Sequence, residues 1–150
     1  MNGLFALLLG LAVVAGLGST GYAAVKPAKA SVWVFDQKLT ISETVTEYDH
    51  LYVPLRELAQ ALDLEVVYDR RAGETRVQRA SDGTWMLFAV GAREVLLNDR
   101  QMVMVAPPLE YHDQIYVPLG LFCWFFGLTM RHDSRGSYYI SQRLIDAYME

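Results

Sequence analysis

A short motif occurs twice in this chain, and it constrains the fold more than any other feature. Residues 51–64 read LYVPLRELAQALDL, and residues 115–128 read IYVPLGLFCWFFGL. Each copy contains an apolar triplet, a proline and then about ten residues at helical spacing. The residue before a proline is pushed toward extended geometry, and a proline is tolerated where a helix begins. Each copy therefore predicts a strand, an abrupt corner and a short helix.

The likeness between the two copies extends on both sides of the motif. Upstream, Glu47–Tyr52 aligns with Tyr111–Tyr116, and an extended run with a polar turn follows each helix. Two units, 32–79 and 95–142, each predict the order β-β-α-β, and internal repeats of this kind define the architecture. The predicted fold class is α+β, with a twisted antiparallel sheet packed on two short helices.

These residues resemble the copper amine oxidase N-terminal-like domain, also called the stalk domain of exported bacterial proteins. The resemblance rests on the two VPL motifs, the turn at 98–100 and the run 106–109, and it covers roughly residues 31–142. The first copy keeps the family's VPLR at Arg56, whereas the second has Gly120 in that place. The resemblance implies a non-catalytic, exported module, and it implies neither a copper site nor oxidative chemistry.

The first 23 residues predict a secretory signal peptide. An uncharged apolar run precedes the small-residue segment 19–23, which is the pattern of a segment that is removed on export. Cleavage is expected after Ala23, with a second option after Ala30. A segment that escapes cleavage would be a membrane anchor, and only then would the chain contact a membrane. Residues 24–30 predict a flexible leader.

No set of residues predicts catalysis, a metal or a cofactor. The histidines His50, His112 and His132 each adjoin an aspartate, but each pair falls at a predicted turn, where aspartate serves backbone hydrogen bonds. The ligand spacings of zinc sites and the glycine-rich loops of nucleotide sites are missing from the sequence. We therefore expect no enzyme, no metal site and no bound cofactor. The single cysteine, Cys123, predicts a small buried residue and not a reactive thiol.

Two hypotheses on function remain. The net charge of −4 offers no electrostatic basis for nucleic-acid binding. The leading hypothesis is a secreted or extracytoplasmic module that contacts a protein or a cell-wall polymer at the bacterial cell surface. The alternative is a small secreted glycan-binding or cell-wall-hydrolase-associated protein that stacks sugars on Trp33, Trp85 or tyrosines. A hydrolase would need two convergent carboxylates, and the candidates of that type are Glu43, Glu47, Glu57 and Glu110.

The first helix predicts a simple amphipathic pattern. Apolar residues recur at the spacing of one helix face, and polar residues occupy the other. The predicted inward residues are Leu55, Leu58, Ala59 and Leu62, and the predicted outward residues are Arg56, Glu57, Gln60 and Asp63.

The second helix differs, because it is apolar nearly all round. Alignment of the copies places Leu121, Trp124 and Phe125 at the positions of Glu57, Gln60 and Ala61. Helices of this composition are normally buried on every side. Either the C-terminal tail, 143–150, covers this face as a short helix, or a protein partner or a second copy in a homodimer does. We expect an intermolecular contact, with Leu121, Trp124 and Phe125 as the interaction surface.

Overall fold

The structure is a computed structural model, and it describes residues 25–41 and 43–143. The strands of the first half are β1 (Lys26–Ala28), β2 (Ser31–Val34), β3 (Gln37–Lys38), β4 (Thr44–Glu47), β5 (His50–Pro54), β6 (Leu64–Asp69) and β7 (Glu74–Arg79). Those of the second half are β8 (Trp85–Ala89), β9 (Glu94–Leu97), β10 (Arg100–Val103), β11 (Leu109–Tyr111), β12 (Gln114–Pro118), β13 (Leu128–His132) and β14 (Ser137–Gln142). Two helices, α1 (Leu55–Ala61) and α2 (Leu119–Phe125), follow β5 and β12.

Each helix starts at a proline corner, as the motif predicts. Pro54 ends β5 with φ −60° and ψ 129° and is the N-cap of α1. Pro118 ends β12 with φ −68° and ψ 116° and is the N-cap of α2. Proline has φ fixed near these values in both extended and helical geometry, so it turns the chain without strain. Both helices contain seven residues.

The strands form three sheets, whereas the sequence predicts one. The first sheet has the order β1-β4-β5-β12-β11, the second β10-β9-β8-β7-β6 and the third β13-β14-β2-β3. Pairing among the described strands is antiparallel except between β2 and β14, which run parallel. The α+β class and the mainly antiparallel pairing are confirmed, but the strands are divided among separate sheets.

The two copies of the motif meet at the centre of the first sheet. In the antiparallel register of β5 and β12, Val53 lies opposite Val117, Tyr52 opposite Pro118 and Pro54 opposite Tyr116. Val53 thus lies opposite the equivalent valine of the other copy. Tyr52 lies opposite the equivalent of Pro54, and Pro54 lies opposite the equivalent of Tyr52. The arrangement places the two helices on either side of an approximate local two-fold axis.

A tandem β-β-α-β repeat is not confirmed by these pairings. The range 32–79 begins with the hairpin β2–β3, which joins the third sheet beside β14 and not the sheets of its own unit. In the range 95–142, β9 and β10 join the second sheet through β8, a strand that belongs to neither range. Sheet pairing follows burial of the apolar faces over long sequence distances, and local similarity does not determine it.

Most of the core lies between the helices and the sheets. Leu55 and Leu58 of α1 and Phe122 of α2 are fully buried there, and Phe126 packs on Phe122 with ring centroids 5.1 Å apart. A smaller cluster, formed by Val45, Tyr52, Ala106 and Tyr116, lies around the first sheet. The four residues that the pattern turns inward in α1 are buried, which confirms that prediction.

Four hairpins turn through pairs of residues with positive φ at both positions. The pairs are Phe35-Asp36, Tyr48-Asp49, Asn98-Asp99 and His112-Asp113. Positive φ at both central residues is the geometry of the type I′ turn, which matches the twist of the flanking strands. Aspartate tolerates this left-handed region better than most residues, so the aspartates here serve the backbone. The His112-Asp113 turn places both side chains at the tip of the β11–β12 hairpin.

The ends of the domain correct one prediction and leave two outside the described residues. The predicted flexible leader, 24–30, contains β1, in which Lys26 pairs with Thr46 and Ala28 with Thr44 of β4. The leader prediction is therefore wrong for these residues. The predicted signal segment, 1–23, and the tail beyond Arg143 lie outside the described residues. Within the described part of the chain, neither helix has the length and apolar character needed to cross a membrane.

Candidate functional site

Of the three residues predicted to form the interaction surface on α2, only Trp124 is largely exposed. Trp124 is 53% exposed, whereas Phe125 is only 7% exposed. Leu121 is partly buried and packs against both hydrophobic clusters. Alignment of the copies could not reveal this difference, because the burial of Leu121 and Phe125 depends on residues from other elements that pack against α2.

The Trp124 side chain is supported by its neighbour. The rings of Trp124 and Phe125 meet edge-on, with centroids 5.4 Å apart and planes at 67°. Close to the start of the same helix, a Cβ on Gly120 would lie 3.2 Å from Cε of Met130 in β13. A side chain at position 120, where the first copy has an arginine, would therefore require the end of the Met130 side chain to shift. An aromatic ring on a packed base is a suitable anchor for a binding partner.

A second site, which the sequence did not reveal, is a cleft at the start of α1. This α1 cleft has a volume of about 500 Å³ and lies between α1, the end of β6, the loop after β8 and the β11–β12 hairpin. Its lining residues are Arg56, Glu57, Tyr68, Arg70, Val90, Glu110, Asp113, Gln114 and Ile115. The volume falls in the range of small-molecule sites, roughly 300–1,000 Å³.

Glu57 is the unusual residue of the α1 cleft. The helical pattern predicts that it points into solvent, but the structure buries its Oε2 atom without a hydrogen-bond partner among the described residues. Glu57 is the third residue of α1, where a glutamate ordinarily accepts a hydrogen bond from the backbone N–H of the N-cap residue. The N-cap here is Pro54, which has no N–H. The motif itself therefore removes the local donor that would satisfy this carboxylate.

The arginines and the tyrosine of the α1 cleft present free binding groups. Among the described residues the ion pairs join Arg79 to Asp82 and His112 to Glu43, so neither Arg56 nor Arg70 takes part in one. Tyr68 is 46% exposed at the open end of β6, opposite Thr75 of β7. The cleft thus offers hydrogen-bond donors, acceptors and one aromatic face within a single concave surface.

The other carboxylates named as hydrolase candidates do not converge on one point. Glu110 lines the α1 cleft with Glu57, but Glu43 accepts a hydrogen bond from the Tyr111 hydroxyl at 3.4 Å. Glu47 lies in β4, where burial raises the pKa of its carboxyl. The Tyr48 side chain also donates a hydrogen bond to this carboxyl, which acts in the opposite direction on its pKa.

The histidines are distributed over separate strands and turns. His50 starts β5, His132 ends β13, and His112 stacks on Tyr111 with ring centroids 4.0 Å apart. Within residues 25–41 and 43–143, no three His, Cys, Asp or Glu side chains are grouped to hold a metal ion. Cys123 is fully buried, and burial raises the pKa of its thiol to about 12. A protonated, inaccessible thiol is the inert residue that the sequence predicts.

The structure is a small α+β domain with an exposed tryptophan on α2 and a polar cleft at the start of α1. The sequence model of the copper amine oxidase N-terminal domain matches residues 33–140. The chain belongs to this family, whose name refers to a non-catalytic domain of those oxidases. No curated protein matches the chain.

Proposed function

We propose that this protein is an exported, non-catalytic binding module that contacts a protein or a cell-wall polymer at the bacterial cell surface. Membership of a non-catalytic domain family supports the first part of this proposal. The observation that supports the second is Trp124, a tryptophan that is 53% exposed on a helix whose other aromatic residues are buried. About half of the Trp124 surface therefore stays outside the packing of the domain.

The exposed surface of Trp124 is enough for an anchor residue but not for a whole interface. An aromatic side chain buries roughly 150–250 Å², so about half of that is available on Trp124. At about 25 cal/mol per Å², its burial contributes roughly 2–3 kcal/mol. A stable protein–protein interface needs about 800 Å² on each partner. We therefore propose Trp124 as one anchor within a larger contact to another protein, with a second copy of the chain as the other outcome of the test.

Strand β1 bears on where a signal segment would be cleaved. Cleavage after Ala30 would remove this strand, and the buried hydroxyl of Thr44 would lose the carbonyl of Ala28, its acceptor at 2.7 Å. Cleavage after Ala23 leaves the strand in place. The fold thus favours the first of the two predicted processing sites.

The test compares Trp124→Gln with Trp33→Gln. Trp33 serves as the control because it is a partly exposed tryptophan on β2, in the third sheet and not on α2. Binding to purified bacterial cell wall is measured before and after protease treatment of the wall, and self-association is measured by sedimentation velocity. The proposal expects protease-sensitive binding that falls at least tenfold in Trp124→Gln and persists in Trp33→Gln. Wall binding that neither change affects would contradict the role of Trp124. Concentration-dependent dimers that are lost in Trp124→Gln would identify the partner as a second copy.

The alternative, recognition of a wall glycan, is favoured by a different observation. The α1 cleft contains an exposed tyrosine beside unpaired arginines and an unsatisfied carboxylate. Aromatic rings with flanking polar groups are the groups that hold sugars, because a sugar ring has an apolar C–H face and polar edges. This site is separate from Trp124, so the two functions can be tested independently.

A further inference from the structure

We infer that the α1 cleft binds a neutral sugar residue of a polysaccharide, with Glu57, Arg56 and Arg70 as hydrogen-bonding groups and Tyr68 as the stacking platform. The inference rests on the proposed non-catalytic binding role and names a ligand class and a site for it. It uses residues that are remote in sequence and that only the fold brings together.

The Glu57 carboxylate supplies an acceptor at the wall of the α1 cleft, and its Oε2 atom has no hydrogen-bond partner among the described residues. A buried acceptor without a partner costs about 1–3 kcal/mol, and natural proteins keep few such groups. The second copy of the motif has Leu121 at the corresponding position of its own helix. Because Oε2 is closed off from solvent in this structure, a ligand donor, such as a hydroxyl or an amide N–H, binds the other carboxylate oxygen or binds Oε2 after a rotation of the Glu57 side chain.

The charges around the α1 cleft indicate that the ligand is neutral overall. Arg56 and Arg70 supply two positive charges, and Glu57, Glu110 and Asp113 supply three negative ones. An anion would meet three carboxylates, and a cation would meet two guanidinium groups. A hydroxyl both donates and accepts hydrogen bonds, so neighbouring hydroxyls of one sugar can bind an arginine and a carboxylate at the same time.

Tyr68 and Val90 supply the apolar part of the recognition. Both are exposed, at 46% and 39%, and both line the cleft. Tyr68 lies on the face of β6 that carries Leu64 and Val66 toward the core, but the strand runs past the core and leaves its ring open. An aromatic side chain with an exposed ring and a polar tip suits a ligand that is apolar on one face and wet at its edge.

The cleft volume sets the length of the ligand segment. A volume of about 500 Å³ accommodates one or two sugar residues. A charged peptide end would also fit by size. It differs in its electrostatics, because an ion pair with Arg56 or Arg70 weakens as salt is added, whereas hydrogen bonds to a neutral sugar do so far less.

The experiment measures binding to soluble oligosaccharides by isothermal titration calorimetry, using the chain without its first 23 residues. The probes are tetramers of N-acetylglucosamine and of glucose, a tetramer of galacturonic acid as the anionic sugar, and the dipeptide Ala-Ala as the zwitterion. Each is titrated at low and high sodium chloride. The variants are Tyr68→Ala, Glu57→Gln and Arg70→Ala, with Val67→Ala as the matched control. Val67 is 51% exposed and adjoins Tyr68, but points to the opposite face of β6.

The inference expects that a neutral tetramer binds and that salt changes its affinity less than twofold. Each cleft variant should lose at least tenfold in affinity for this tetramer, whereas Val67→Ala should lose less than twofold. Circular dichroism of every variant confirms folding. Binding of only the anionic sugar or the dipeptide would overturn the neutral-sugar assignment, and so would equal losses in Tyr68→Ala and Val67→Ala. The Trp124→Gln variant separates the two proposals. If it alone abolishes oligosaccharide binding, the α1 cleft is not the site, whereas failure of every probe overturns this inference and leaves protease-sensitive wall binding intact.

Discussion

Replacement of Glu57 by leucine should stabilise the ligand-free protein. The change removes a carboxylate whose Oε2 atom is buried without a partner among the described residues, and it introduces the residue type that the second copy has at the same place. Removal of an unsatisfied buried polar atom gains about 1–3 kcal/mol. Against this, a carboxylate in the first turn of a helix interacts favourably with the helix dipole, and its loss costs about 0.3–1 kcal/mol.

The net expectation is a gain of about 1 kcal/mol in the free energy of unfolding, since glutamate and leucine have similar helix propensities. In a domain of this size that gain raises the melting temperature by about 3–6 °C. Urea unfolding followed by tryptophan fluorescence measures it directly. The matched control is Gln60→Leu, which introduces the same side chain at an exposed position of the same helix and should stay within about 0.5 kcal/mol of the wild type.

A Glu57→Leu variant that is no more stable than the wild type would refute the reasoning. Such a result would mean that the Glu57 carboxylate is satisfied in solution, and the principal argument for a donor ligand in the α1 cleft would fail with it. A variant that is more stable and no longer binds oligosaccharide would show that stability is given up at this position for binding, as is common at functional sites.

Three further predictions concern the first residue of the exported chain, the effect of copper and the ionisation of Tyr52. Intact-mass measurement of protein from the culture medium should give a chain that begins at Ala24, and a chain that begins at Ser31 or retains Met1 would contradict it. Copper in excess should leave the melting temperature unchanged, because a ligand that binds only the native state must raise it; an upward shift that is lost in His112→Ala would show a site. Burial raises the pKa of the Tyr52 hydroxyl. As pH rises through about 10, this hydroxyl ionises in the unfolded chain before it does so in the folded protein, so the free energy of unfolding falls. Tyr52→Phe should make the free energy of unfolding depend less on pH in this range.

The elements that local chemistry determines were predictable from the sequence. The corners at Pro54 and Pro118, the two short helices and the buried face of α1 follow from proline geometry and helical spacing, and the structure confirms them. The parallel pairing of β2 with β14 was not predictable. It joins the beginning of the domain to its end, and no local pattern records such a partner. The strand at Lys26–Ala28 was missed for the same reason, since a Lys-Pro-Ala segment becomes a strand only because β4 lies beside it.

The candidate sites show the same division between local and long-range information. Comparison of the copies assigned Leu121, Trp124 and Phe125 to an interaction surface, and of these the structure exposes Trp124. Leu121 is partly buried, and Phe125 belongs to the main hydrophobic cluster. Glu57 was assigned to solvent by helical periodicity, which cannot register that residues of β6 and β12 line the same cleft. No sequence signal for the α1 cleft exists beyond the missing N–H of Pro54.

The pairing of β2 with β14 has a mechanical consequence for a module held at both ends. Because the two strands run parallel, tension that reaches Ser31 from one side and Gln142 from the other pulls them along their axes in opposite directions. The register pairs from Ser31↔Ser137 to Val34↔Ile140 then carry the load together, whereas an antiparallel hairpin pulled at its open end yields one pair at a time. Resistance to pulling is governed by the rate of unfolding and not by equilibrium stability. A change that weakens this pair, such as Val32→Ala, should therefore lower the rupture force in single-molecule pulling far more than an equally destabilising change in β10.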